Sequence, residues 1–285
     1  MSDKSGSVRF SLIMATHGRT KELEQFLSAL NLQTHTNFEL IVVDQNPDER
    51  LRPLLAPYEN RFEVLHIRSK KGLSRARNVG LEDVSGDVVA FPDDDCRYSP
   101  DLLEKVANFL TEHPEIDGLC GRSTDGDGRS SNMGFDSGSG FINRFNVWRR
   151  AISYTIFLRV EFTRKTGFDE QLGLGAGTMW AAAEETDYLL RVLDQGASLY
   201  YDHGLLVTHP QPTEWRDTNS MRRRAYYYGC GMGRVLRNHH YPLTFVLRTL
   251  YFPLRGTALA LARRNHSRAR LSWSTFMGRL RGLLS

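Results

Sequence analysis

Cysteine is scarce in this chain of 285 residues: there are three, Cys96, Cys120 and Cys230. They are too few and too scattered for a disulfide framework, and no CxxC or Cys/His metal spacing occurs, so a reducing compartment is expected. No GxGxxG follows the first apolar run, which removes the fingerprint of a dinucleotide-binding oxidoreductase. The "GCGMG" at 229–233 comes late and follows no clear strand. The N-terminal region also lacks a Gly-rich, Lys-containing phosphate loop. The opening "MSDKSGSVRFSLIMAT" has no long apolar core after its charges, so no signal peptide is expected.

One absence is regional. Residues 221–285 contain no Asp, no Glu and no Lys, yet 13 Arg. The whole chain carries 37 basic and 33 acidic side chains, so removing those 13 leaves 24 basic against 33 acidic, a net of −9. An acidic body thus precedes an arginine-rich tail, and such asymmetry points to an anionic partner for the tail, membrane or nucleic acid. The apolar stretch 243–262 is about long enough to span a bilayer. Arg248 and Arg255 interrupt it and Pro253 is expected to break it, so an interfacial amphipathic segment fits better than a span.

The composition that remains is that of a globular protein, 40% hydrophobic and 25% charged. "VRFSLIMAT" (8–16), "FELIVVDQN" (38–46), "FEVLHIR" (62–68), "DVVAFPDDD" (87–95) and "IDGLCGR" (116–122) read as strands with nearly continuous apolar runs. Helical spacing marks 21–33, 72–86 and 183–196, the last two closed by Gly86 and Gly196. In 99–113, Ser99 reads as an N-cap with Pro100 at the first helical position. Strands alternating with helices predict a mostly parallel sheet covered on both faces, with ligands outside the strands' carboxyl ends. Residues 123–140 are rich in Gly, Ser and Asp and read as a mobile loop suited to a lid.

"AFPDDDCRYSP" (90–100) sets Asp93, Asp94 and Asp95 in a row after a buried run. Alone, three acids are a solvated turn. At a parallel strand's carboxyl end they suit a hard divalent cation, which takes oxygen ligands and bridges phosphates.

"MATHGRT", "VVDQN", "GLSRARNVGL", "GDVVAFPDDD", "GFDEQLG" and "EETDYLLRVLDQG", in that order, resemble the family 2 glycosyltransferases of the GT-A fold, over roughly residues 8–210. The resemblance implies an α/β fold: one Rossmann-like nucleotide-binding domain in 1–217, with a nucleotide part at 8–122 and an acceptor part at 123–217. A helical basic extension follows at 218–285. It implies sugar transfer with inversion from a nucleotide-diphosphate donor to an acceptor hydroxyl. Thr16 and Arg19 then lie beside the nucleotide, Asp44 reaches the base, and Arg77 and Asn78 lie near the nucleotide. Asp93 faces the ribose and sugar, Asp94 the donor sugar, and Asp95 binds Mn²⁺ or Mg²⁺, with His209 as a further metal ligand. Where the family has Asp-Gly-Ser after the second strand, this chain has Gln45-Asn46-Pro47. Glu185 occupies the position of the catalytic base, one methylene longer than the usual Asp, with Glu184 as the alternative. Met179 and Trp180 resemble an acceptor-side platform, and Asp169 matches a structural turn.

The resemblance also implies a saccharide acceptor, linked to a polyprenyl diphosphate as in bacterial polysaccharide assembly. The tail then holds the protein peripherally on the inner face of the cell membrane, and no nucleic acid is expected. The competing readings are a nucleotidyltransferase, or a non-catalytic nucleic-acid- or membrane-binding protein with a degenerate body.

Overall fold

A computed structural model describes residues 7–129, 134–210 and 219–285. In chain order the elements are β1 (Phe10–Thr16), α1 (Lys21–Leu30), β2 (Phe38–Asp44), α2 (Arg52–Leu55), β3 (Glu63–Arg68), α3 (Leu73–Leu81), β4 (Val88–Ala90), α4 (Leu102–Glu112) and β5 (Gly118–Thr124). They continue with β6 (Gly140–Phe141), β7 (Ile156–Arg159), α5 (Val160–Thr163), α6 (Glu184–Asp194), β8 (Leu199–Thr208), α7 (Asn219–Asn238), α8 (Leu243–Ala262) and α9 (His266–Leu284).

The strands form one sheet in the order β3-β2-β1-β4-β7-β5-β8-β6. β3, β2, β1 and β4 run parallel, as do β5 and β8, while β7 and β6 are antiparallel. β1 and β2 are buried almost throughout because helices cover both faces of the sheet, which explains their continuous apolar runs. α1 turns Leu23, Phe26, Leu27 and Leu30 into the core, the 3.6-residue stripe its sequence predicts. The chain leaves β1 outward through β2 and β3, then returns to place β4 on β1's other side. That reversal is a topological switch point, where open α/β sheets bind ligands.

The molecule divides into two compact units. The first comprises Met1–Lys71, Arg75–Gly167 and Tyr188–Gln211 and contains the sheet; the second comprises Gly72–Ser74, Phe168–Asp187 and Pro212–Ser285.

In the second unit, α7 and α9 approach through glycines. A Cβ on Gly229 would come 2.7 Å from the Thr275 carbonyl oxygen, and one on Gly233 would collide with the Arg279 carbonyl oxygen. "GCGMG" is therefore a helix-packing stripe, and its middle member, Gly231, lies against the Ala182 backbone.

Three sequence expectations are corrected. α3 ends at Leu81 and is not closed by Gly86, whose N–H donates to Ser11 Oγ at 2.9 Å just ahead of β4. Pro253 does not break 243–262: α8 runs through it. A proline removes the N–H that would bond the carbonyl four residues earlier, and here Arg279 Nη1 donates to that carbonyl, Thr249 O. α4 begins at Leu102, not at Pro100, and the Ser99 side chain does not cap it, since its hydroxyl donates to Asp101 Oδ1 at 2.7 Å.

Candidate functional site

Thr16 and Asp44 end β1 and β2 and are paired in register. Asp93–Asp95 follow β4, which also pairs with β1, so parallel pairing alone brings three distant segments to one edge. Asp94 turns inward: Thr16 Oγ1 donates to its Oδ2 at 2.6 Å and Arg19 Nη1 to its Oδ1 at 2.5 Å. Arg19 also reaches Asp95 Oδ2 at 2.6 Å, so one guanidinium spans two of the three acids. Burial pushes the Asp94 carboxyl up against the pull of Thr16 and Arg19. Arg77, on α3 and 2% exposed, lies 3.4 Å from Asp93 Oδ1.

His209, just past β8, closes the group, with Nε2 3.1 Å from Asp95 Oδ1. Its Nδ1 lies 2.8 Å from the Pro210 carbonyl oxygen. The Tyr154 ring stacks on the imidazole at 4.6 Å and 10°, and the Tyr154 hydroxyl donates to Ser123 Oγ at 2.8 Å. Asp93, Asp95 and His209 offer ligand atoms within 4.8 Å of one another. Two further observations fit a divalent cation. Among the described residues, the buried Asp95 Oδ1 meets no donor besides the His209 contact, which itself falls short of hydrogen-bond geometry. The Nδ1–carbonyl contact is the usual support of a metal-binding histidine, and it leaves Nε2 for the cluster. Two carboxylates and an imidazole suit Mn²⁺ well and Mg²⁺ through the oxygens. Burial raises Asp93 to about 6, opposed by Arg77 and His209. For His209 burial favours the neutral ring, but Asp95 and Asp93 outweigh it and raise the pKa.

Asp44 has its own network. Its Oδ1 accepts from Asn46 N at 2.8 Å and Asn46 Nδ2 at 2.7 Å, while Oδ2 meets His66 Nε2 at 3.0 Å and Arg68 Nη1 at 2.7 Å. Burial alone would raise this carboxyl; the donors outweigh it and hold it below its ordinary value. Asn46 Oδ1 in turn accepts from Gly18 N at 2.6 Å, and Gly18 needs its φ of +78° to present that N–H. The departure at 45–47 therefore supplies a link between the ends of β1 and β2.

Asn46, His66, Arg68 and Tyr154 are absent from the sequence-based site. His66 and Arg68 could have been found: they alternate at the end of a strand, on the face that Asp44 shares in register. Tyr154 carries no such signal. Asn78 is half-buried, its side-chain oxygen beside Gly167.

The base candidates belong to the second unit. Glu184 and Glu185 open α6 directly after Ala183, whose φ of +70° is uncommon for a residue with a Cβ. Glu184 is 6% exposed, while Glu185 is half-buried. In the same turn Asp187 Oδ1 lies 2.8 Å from Nε2 of His239, which directly follows α7. Trp180 packs within this unit: Arg234 stacks over its ring at 4.3 Å and Nε1 donates to Ser285 Oγ at 3.1 Å. Met179 is half-buried. Asp169 Oδ1 accepts from Gln171 N at 2.9 Å, a turn contact as expected. The expected lid splits: Ser123 and Thr124 are buried in β5, and 130–133 lie outside the described residues.

The model of the family described as Glycosyl transferase family 2 matches residues 11–167, more than half of the chain. Glycosyltransferase AglE of Haloferax volcanii is 24% identical over 234 residues, 79% of this chain and 73% of AglE. Amylovoran biosynthesis glycosyltransferase AmsE of Erwinia amylovora is 31% identical over 112 residues, 38% of this chain and 42% of AmsE. Other curated relatives matched over about a third of this chain are likewise spanned for less than half their length. Among solved structures, mannosyltransferase PcManGT from Pyrobaculum calidifontis, in complex with GDP-Man and Mn²⁺, has a TM-score of 0.65. It is 12% identical, and the match covers 98% of this chain and 88% of that one. The expected GT-A architecture is the one this chain adopts, its central sheet expected to be mostly parallel and found mixed through antiparallel β6 and β7, with helices at the C-terminus.

Proposed function

This chain belongs to glycosyl transferase family 2, and from that premise we propose that it is an inverting, metal-dependent glycosyltransferase using a nucleotide-diphosphate sugar. The observation that carries the reading is the convergence of Asp93, Asp95 and His209 at the carboxyl edge of β1 and β4. A divalent cation held by these three residues, Mn²⁺ or Mg²⁺, supplies charge neutralisation for the diphosphate leaving group. Arg19 and Arg77 add fixed positive charge beside it, and Asp94, itself bonded by Thr16, holds Arg19 in place. Asp44, with Asn46, His66 and Arg68, is assigned to the nucleobase side, and Asn78 to the nucleotide. Asp93 is assigned to the ribose and sugar.

Glu185 is the assigned base, and its partial exposure suits it better than the buried Glu184. It takes the proton of the acceptor hydroxyl as that oxygen bonds to the anomeric carbon and the bond to the diphosphate breaks. Met179 and Trp180 are assigned to the acceptor side. The functional division we assign is 1–217 for catalysis and 218–285 for membrane association. The acceptor is a lipid-linked saccharide in polysaccharide assembly at the inner face of the cell membrane, and the arginines of 221–285 match that anionic setting.

A panel of nucleotide sugars with Mn²⁺ or Mg²⁺ tests the reading by thermal stabilisation and slow donor hydrolysis. One nucleoside diphosphate should be preferred, and metal chelation should abolish the effect. Glu185→Gln should lower kcat by about 10²–10⁴-fold while donor KM holds. Unchanged turnover in that variant would move the base to Glu184. Salt-sensitive RNA binding without any donor turnover would favour the non-catalytic reading instead.

A further inference from the structure

α8 is packed inside out. The residues it buries are Thr249, Pro253 and Ala260, with Gly256 against Ser272 of α9. Most of its large apolar side chains face outward: Leu243 is 70% exposed, Leu247 55%, Tyr251 55%, Leu254 44% and Leu261 51%. Phe245, Val246 and Leu250 are half-buried. With Ala258 these positions follow one another by four or three residues, so they form one continuous stripe along the helix. Arg248 and Arg255, both exposed and seven residues apart, run along one side of it. A helix that serves only its own core does the reverse, burying leucines and exposing threonine. Among the described residues no helix is long and apolar enough to cross a membrane. Contiguous apolar surface of this kind marks an interaction site.

We infer that α8 lies flat in the interface of an anionic bilayer, with the 243–247–251–254–258–261 stripe among the acyl chains and Arg248 and Arg255 on the phosphates. Charge selects the occupant. Residues 221–285 hold 13 arginines and no Asp or Glu. A second copy docked through the same stripe would set arginine against arginine with no acid to pair them, whereas an anionic lipid surface supplies the phosphates. An aliphatic stripe flanked by arginine is the composition of an interfacial helix. The inference rests on the membrane part of the proposed function and deepens it by naming the helix face that enters the bilayer and the arginines that stay at the phosphates.

The test uses the full chain and vesicles of equal parts phosphatidylcholine and phosphatidylglycerol, with phosphatidylcholine alone as control. Cys96, Cys120 and Cys230 are all buried, so a fluorophore can be placed at Leu254→Cys, and at Glu112→Cys on the exposed end of α4 as reference. Fluorescence at 254 should rise and shift blue with the anionic vesicles, while that at 112 stays constant. Leu247→Ser with Leu254→Ser should weaken partitioning about a hundredfold, roughly tenfold for each leucine. Donor-induced thermal stabilisation should persist in that variant. Binding with an unchanged signal at 254 and no loss in the double variant would mean attachment by charge alone and overturn the inference. So would absence of binding, or a dimer in solution that the same substitutions dissociate. Loss of donor binding in the unaltered protein would sink the glycosyltransferase reading and leave this face untouched.

Discussion

In the sheet-containing unit the fully buried side chains are large: Phe10, Phe26, Phe91, Phe157, Leu12 and Met14 among them. At its strand ends acids are paired, as Asp44 is with His66 and Arg68, and Asp94 with Arg19. In the helical unit, α7 and α9 meet through Gly229, Gly233, Gly278 and Gly282, while leucines of α8 face out. One unit is built by removing apolar surface from water. The other gains from close backbone contact and leaves apolar surface available. The contrast teaches that the same chain uses two packing rules, and that a sequence rich in Leu, Phe and Tyr need not place them inside.

The largest expected effect breaks the first unit's chemistry and leaves its fold. Asp95→Ala should lower metal-dependent transfer about a thousandfold, as loss of a charge-stabilising group does, and abolish Mn²⁺ binding in calorimetry. Its melting temperature should change little.

Next comes the packing rule of the second unit. Gly231→Val puts a branched side chain onto the Ala182 backbone. It should destabilise by about 3 kcal/mol, read as a lower melting temperature. A fully stable variant would show that the close approach is not required.

Asp44→Asn is expected to cost about 2 kcal/mol at neutral pH, since it removes a carboxylate that accepts from charged donors. Asp44 is held below its unfolded pKa, so its stabilisation is complete above about pH 4 and fades as pH falls through the folded-state value. The variant should therefore lose less stability than the parent on acidification, which denaturant midpoints taken across that range would measure.

The smallest effect sharpens the account of α8. Arg279→Met removes the donor to the Thr249 carbonyl that Pro253 leaves unpaired. Burial already lowers this guanidinium to about 10, so relief of a buried charge offsets part of the loss. A net cost of about 1 kcal/mol is expected, with helix content by circular dichroism falling slightly if α8 frays past Pro253.

The sequence by itself determined β1 to β5 and the helices α1, α3, α4 and α6, though not their end residues, because burial on two faces or on one stripe leaves a period in the apolar residues. It also determined that Asp93–Asp95, Thr16 and Asp44 share one edge, because parallel strands put every carboxyl end on the same side. Local pattern cannot report contacts between residues far apart along the chain. Tertiary structure alone decided that His209 reaches Asp95, that Arg19 spans Asp94 and Asp95, and that Arg279 rescues a proline 26 positions away. It also decided the outward face of α8: periodicity reveals that a helix has an apolar stripe, but only packing against α9 fixes which side is turned to its neighbours.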